Sequence, residues 1–173
     1  MHFTKMNGAG NDFIIIEEEF PGEKNISELS KRLCDRHFGI GADGVLLVKK
    51  SDVADAEMVL YNSDGSLAEM CGNGIRCFAK YIRDHGFVSS NKIRVMTGDG
   101  IKQLELVKSS EKVTGAKVNM GFPKFKPEDI PVLLEGDTVT NRVLNIGSNG
   151  FYITSLNIGV PHTVIYTENI DDE

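Results

Sequence analysis

Cys71 precedes Gly72-Asn73-Gly74 and an amphipathic stretch that continues through Tyr81. That spacing puts a thiol at the start of a helix, where unpaired N–H groups and a partial positive charge stabilise a thiolate and can also hold a ligand carboxylate. The chemistry this suggests is acid–base catalysis on an anionic substrate. Removing a proton from a carbon next to a carboxylate needs a base in contact with that carbon and donors preorganised at the carboxylate oxygens. Cys71 can be the base, and the backbone N–H groups of Gly72 and Asn73 can be the donors. Glycine at 72 and 74 allows a ligand to approach the backbone. Asn11, Asn62 and Asn73 can add neutral amide donors that orient a zwitterion, and their convergence from three separate turns is an expectation.

Each of these residues also has a plainer reading. A cysteine is by default a small buried hydrophobe, Asn11 and Asn62 are placed to close Asx-turns, and most glycines here serve turns. Asp43 and Arg76 read as turn-stabilising and ion-paired, His162 as a partly buried histidine beside a strand, and the acidic stretch Glu168 to Glu173 as a solvated end. Cys77, six positions after Cys71, points roughly 240° further round the helix, away from the same pocket. Cys34 shares a stripe with Ile26, Leu29 and Leu33 and reads as core. With three cysteines and no Cys-x-x-Cys pair, neither a disulfide framework nor a metal centre is expected, and reduced thiols fit a cytoplasmic location.

The elements that must position these groups can be read from periodicity. Phe13 to Ile16, Val45 to Val48 and Met58 to Tyr61 are short apolar runs expected to form buried strands. Ile93 to Thr97 and Ile101 to Val107 flank Gly98-Asp99-Gly100 as a hairpin. Asn25 caps a first helix, with Glu28 reaching back from its third position. A second helix starts near Gly72, buries Ile75, Phe78, Ala79 and Ile82, and ends at Gly86. Beyond Val113 the segments Ala116 to Met120, Val139 to Ile146 and Phe151 to Ile158 are strand-like, with Gly121-Phe122-Pro123-Lys124 as a domain junction.

The 173 residues allow one domain with a real core, or one domain plus part of another. A net charge of -6 argues against a nucleic-acid or anionic-membrane partner. No apolar run approaches the roughly 20 residues of a membrane span.

Four segments in order, Lys5-Met6-Asn7-Gly8-Ala9-Gly10-Asn11-Asp12-Phe13, Arg36-His37-Phe38-Gly39-Ile40-Gly41-Ala42-Asp43-Gly44, Tyr61-Asn62-Ser63-Asp64-Gly65-Ser66 and Met70-Cys71-Gly72-Asn73-Gly74-Ile75-Arg76-Cys77, closely resemble the diaminopimelate epimerase family. The resemblance continues more loosely to Gly159-Val160-Pro161-His162. It implies an α+β fold in which a mixed sheet wraps a central helix in each of two similar domains, here 1–118 and the opening strands of a truncated second domain in 119–173. It also implies cofactor-independent interconversion of LL- and meso-diaminopimelate by two thiols, without pyridoxal phosphate or metal. By position, Cys71 matches one catalytic cysteine, Asn11, Asn62, Gly72 and Asn73 match substrate-binding residues, and His162 matches a histidine that tunes the thiols. Val160 and Gly44 depart from residues found in other members, an asparagine and a glutamine.

The family's second cysteine and a Glu-Arg pair have no counterpart before Glu173, so little activity is expected of this chain alone. A small-molecule amino-acid substrate, diaminopimelate, is the expected partner, with no nucleic acid or membrane, and a homodimer is left open. Two alternatives stay open: a related two-thiol racemase acting on another amino acid such as histidine, or a non-catalytic ligand-binding fragment. Proline racemases fit less well, because their matching segment resembles Met-Cys-Gly-His where this chain has Asn73.

Overall fold

A computed structural model describes residues 2–17 and 25–167, and the acidic stretch from 168 lies outside the described residues. The chain divides into two compact units, Met1–Asn119 and Met120–Glu173.

Unit 1 contains strands β1 (Thr4–Gly8), β2 (Asn11–Glu17), β3 (Gly44–Lys49), β4 (Ala56–Asn62), β5 (Leu67–Ala68), β6 (Lys92–Thr97), β7 (Gly100–Ser109) and β8 (Lys112–Asn119), and helices α1 (Ile26–Cys34) and α2 (Gly72–Asp84). The strands form one sheet in the order β1-β2-β3-β4-β6-β7-β8, with β5 paired to β4. β2 pairs with β3, and β4 with β6, in parallel; the other pairings are antiparallel. The sheet is therefore mixed. α2 touches β1, β2 and β3 as well as β7 and β8. A helix that contacts strands from both ends of one sheet is a helix round which that sheet curls, as expected of an α+β fold of this type.

The unbroken apolar runs reflect burial on two faces. Phe13 to Ile16 and Val45 to Val48 are all buried. Ile14, Ile16, Val45 and Leu47 pack with Leu29, Leu33 and Cys34 of α1, while Phe13 and Leu46 meet α2 at Gly74. β6 and β7, covered on one face, alternate buried and exposed residues instead. Asn25 caps α1 by accepting from Glu28 N–H at 3.2 Å, but the Glu28 carboxylate accepts from Lys31 at 2.7 Å. A lysine one turn ahead thus takes the place of the reciprocal half of the capping box. Gly86, with φ of 78°, follows α2.

Within unit 1, β1 and the two-residue β5 have no counterpart among the expected strands. β1 alternates polar and half-buried residues at the sheet edge, so it lacks an apolar signature. Its turn to β2 is Ala9-Gly10, both at positive φ, 51° and 97°, the twist a two-residue hairpin needs.

Unit 2 has a 3-10 turn at Pro127–Asp129 and a three-stranded antiparallel sheet of β9 (Arg142–Ile146), β10 (Asn149–Asn157) and β11 (Pro161–Ile165). The strand expected from Val139 begins only at Arg142. Val139 is buried, but its N–H goes to Phe125 O at 2.9 Å and its carbonyl to Ser155 N–H at 2.8 Å, outside the ladder of β9. Ile130, Val139 and Ile153 form this unit's core, with Val132, Leu134, Leu144 and Phe151 against it.

Candidate active site in unit 1

Parallel β2 and β3 begin at Asn11 and Gly44, and β4 runs antiparallel to end at Asn62, directly opposite Gly44. One end of the sheet therefore gathers Asn11, Asp43, Gly44 and Asn62. The N-terminus of α2 is tied to the same end, because Asn73 Nδ2 donates to Asn11 Oδ1 at 2.8 Å. Cys71, Gly72 and Asn73 thus join Asn11, which brings together two of the three turns.

Cys71 is the N-cap of α2. Its backbone is extended, its carbonyl accepts from Ile75 N–H at 2.9 Å, and its sulfur accepts from Gly74 N–H at 3.4 Å. The N–H groups of Gly72 and Asn73 belong to the first turn, where the helix offers no acceptor. A Cβ built at Gly72 would meet nothing within 4 Å, so this backbone faces open space; at Gly74 it would lie 3.4 Å from Cys71 Cβ and from Phe13 Cζ. Gly72 is therefore the approachable glycine, and Gly74 is packed.

The other cysteines face inward. Burial pushes the Cys34 thiol up to about 11, with Asp12 and Asp43 adding to the effect, and burial raises that of Cys77 as well. Cys77 Sγ packs so closely on β1 that a Cβ at Gly8 would come within 2.7 Å of it.

A polar chain ties the site together. Asn11 Nδ2 donates to Asp43 Oδ2 at 3.0 Å, and the same oxygen accepts from Asp12 N–H at 3.0 Å. Arg36 donates to Asp43 Oδ1 at 2.8 Å and to both oxygens of Asp12 at 2.8 and 3.2 Å. Lys5 donates to Gly41 O at 2.6 Å and pairs with Asp12 at 3.1 Å. The Arg36 guanidinium, and after it the Lys5 ammonium, hold the Asp12 carboxyl well below the usual carboxylate range against the opposing effect of burial. At the far end Arg76 donates to Asn73 Oδ1. Asp43 and Arg76 read from sequence as structural, and they are ion-paired or hydrogen-bonded within this chain. What spacing alone could not show is that their partners are the two asparagines beside Cys71.

Asn62 is at the right end of the sheet but is engaged in its own turn, where Nδ2 donates to Ser66 Oγ at 2.9 Å. At Gly44 a Cβ would lie 2.8 Å from Tyr61 O, so the departure from glutamine goes with close approach of β3 to β4. His162 lies in unit 2, on β11 opposite Leu156, and is exposed. Val160 is 37% exposed in the bend before β11. Among the described residues no three His, Cys, Asp or Glu side chains converge as metal ligands would. An open cavity of about 800 Å³ lies elsewhere, on β6, β7 and β8 beside Lys92, Arg94, Gln103, Glu105 and Lys117. Lys92, Glu105 and Lys117 are cross-strand neighbours there, an arrangement a solvated sheet face adopts on its own.

The sequence profile described as diaminopimelate epimerase matches residues 3–126. Over 171 residues the chain is 50% identical to a diaminopimelate epimerase of Clostridium perfringens, covering 97% of this chain and 62% of that protein. One from Alkaliphilus metalliredigens is 48% identical, with 98% and 60% covered. The chain thus spans about three-fifths of the length of these curated relatives. Among solved structures, a hydroxyproline epimerase from Agrobacterium vitis, with bound trans-4-hydroxy-L-proline, superposes with a TM-score of 0.71 at 11% identity, covering 94% of this chain and 50% of that one, a likeness of fold. With the profile matched over most of unit 1 and half the residues shared with a relative, the chain belongs to the diaminopimelate epimerase family.

Proposed function

We propose that this chain carries one side of a cofactor-independent amino-acid epimerase site, with diaminopimelate as its substrate, acting in the cytoplasm. The observation that carries the reading is Cys71 at the N-cap of α2, its sulfur facing Gly74 N–H and the open backbone of Gly72 beside it. The Cys71 thiolate takes the α-proton and becomes a thiol, leaving a carbanion stabilised by donors at the carboxylate oxygens. An acid on the opposite face then delivers a proton to the same carbon and inverts it. In the return direction Cys71 gives its proton back.

Gly72 and Asn73 N–H, with the Asn11 and Asn73 amides, are the carboxylate donors in this reading. Asn62 contributes from the neighbouring turn. Cys34 and Cys77 are both buried, so neither is placed to serve as the opposing acid. Family membership and identities of 48 and 50% to relatives named for diaminopimelate support this substrate over another amino acid.

The test is deuterium incorporation at the substrate α-carbon in deuterated water, followed by proton NMR, in a chimera in which these residues replace the matching part of a full-length relative. Cys71→Ser should lower exchange by at least 100-fold, on the order of the contribution of a positioned base. Normal exchange in that variant would defeat the assignment. The isolated chain should show little net epimerisation, and robust turnover would defeat the claim that a second acid is required from elsewhere.

A further inference from the structure

We infer that Asp43 and Arg76 are positioning residues that fix which way the Asn11 and Asn73 amides face, and so aim two N–H donors at the carboxylate of a bound amino acid. The ligand's identity rests on the proposed function; the orientation of the amides rests on geometry alone.

A side-chain amide has a donor end and an acceptor end of nearly equal shape, so its neighbours decide its orientation. Here the chain runs from Arg76 to Asn73 Oδ1, from Asn73 Nδ2 to Asn11 Oδ1 at 2.8 Å, and from Asn11 Nδ2 to Asp43 Oδ2 at 3.0 Å. A guanidinium can only donate and an ionised carboxylate can only accept. The two ends therefore demand the same direction. Turning either amide over would set oxygen against oxygen or N–H against N–H at both of its contacts. Asp43 is itself held as an acceptor by Asp12 N–H at 3.0 Å and Arg36 at 2.8 Å.

Each amide uses one N–H inside the chain, which leaves its second N–H for a ligand. These lie beside the helix N-terminus, where the Gly72 backbone faces open space. The array is complementary to an acceptor-only group such as a carboxylate. It discriminates against a carboxamide in the same place, whose N–H groups would meet donors.

Among the described residues no hydrogen bond or ion pair joins Asp43 to Arg76. The hydrogen-bonded route between them runs through the two asparagines, and this makes the inference testable. In the ¹⁵N-labelled chain, Asp43→Ala should shift the side-chain amide resonances of Asn73, and Arg76→Met those of Asn11, although neither pair is in direct contact. Shifts confined to the directly bonded asparagine would overturn the inference. Should Asp43→Ala not fold, Arg76→Met and its effect on the Asn11 resonances carry the test alone.

Titration with meso-diaminopimelate supplies a second readout. Asp43→Ala and Arg76→Met should each weaken binding about 10-fold, the scale of one misdirected hydrogen bond to a charged group. The double variant should be no weaker than either single one, because a chain broken once is already broken; multiplied losses near 100-fold would overturn the relay. Arg76→Lys, which still only donates, should retain more affinity than Arg76→Met. If the unsubstituted chain binds no diaminopimelate, the proposed function fails, and the ligand-free amide shifts still decide the orientation.

Discussion

Unit 1 and unit 2 both consist largely of antiparallel strand pairs, but their surfaces are finished differently. In unit 1, β2 and β3 are covered on one face by α1 and on the other by α2, and Phe78, Ile75 and Ile82 of α2 are fully buried. In unit 2, all five residues of β11 are exposed, as are Val143, Ile146 and Tyr152, and the core is three buried residues. The difference teaches what holds a candidate catalytic group still. Cys71 and Asn73 inherit their positions from a helix clamped inside a sheet, whereas His162 sits on an edge strand. Edges and apolar surface of that kind favour association with other chains.

The largest effect should come from the clamp itself. Phe78→Ala removes the largest fully buried side chain among the described residues and should destabilise unit 1 by about 3–5 kcal/mol, read from urea unfolding followed by amide resonances assigned to each unit. Ile153→Ala, at 3% exposure in the core of unit 2, should cost about 2–5 kcal/mol there and leave the Asn11 and Asn73 resonances in place. If Ile153→Ala moved those resonances, the contrast between a helix-clamped unit 1 and a thinly cored unit 2 would be broken.

A subtler break contrasts two glycines of unit 1. A Cβ at Gly8 would lie 2.7 Å from Cys77 Sγ and 3.0 Å from Asn73 O, whereas at Gly72 it would meet nothing within 4 Å. Gly8→Ala should therefore push α2 off β1 at a cost of about 1–3 kcal/mol, and adding Cys77→Ala should recover part of that loss. Gly72→Ala should leave the unfolding midpoint nearly unchanged and weaken carboxylate binding instead. Equal stability losses in the two variants would remove the distinction between a packing glycine and a ligand-facing one.

The sequence announced these features unequally, for physical reasons. The double burial of β2 and β3 appears as unbroken apolar runs, and the stripe of α2 appears at Ile75, Phe78, Ala79 and Ile82, because burial imposes composition. β1 was not legible, since an edge strand with half-buried polar residues has no such pattern. Cys71 could be found from its helix-start neighbours, and Asn11 from its motif. That Asn11 and Asn73 bond each other across 62 positions depends on how the sheet curls, which local spacing does not encode. Val139 shows the converse: its burial was legible as apolar character, but a side chain can be buried from a loop, and the strand starts three residues later.

Acid should separate the units next. The Asp12 carboxyl is held well below its usual range by Arg36 and then Lys5. A carboxyl depressed on folding contributes stability that is fully present above its unfolded value near 3.8, and that contribution is lost as pH falls through the lower folded value. Unit 1 should thus lose stability between about pH 4 and the onset of acid unfolding, and Asp12→Asn should flatten that slope. The effect is moderated because Arg36 is 56% exposed and its pairings are screened. An unchanged slope in Asp12→Asn, measured by urea midpoints across that range, would show that another group governs acid sensitivity.

The smallest predicted effect has opposite signs in the two units. Ser30 on α1 and Ser155 on β10 are both fully buried. Ser155 Oγ bonds Thr163 Oγ1 at 2.9 Å, whereas Ser30 Oγ has no partner among the described residues. A buried hydroxyl without a partner keeps its desolvation penalty, and alanine also suits a helix better by about 0.5 kcal/mol. Ser30→Ala should therefore stabilise unit 1 by about 0.5–1 kcal/mol after allowing for the small void left behind. Ser155→Ala gives up a made bond, while the exposed Thr163 hydroxyl turns to water, so it should destabilise unit 2 by about 0.5–1 kcal/mol. If both variants shifted in the same direction, the satisfied hydroxyl of unit 2 and the unsatisfied one of unit 1 would not differ in the way their geometry requires.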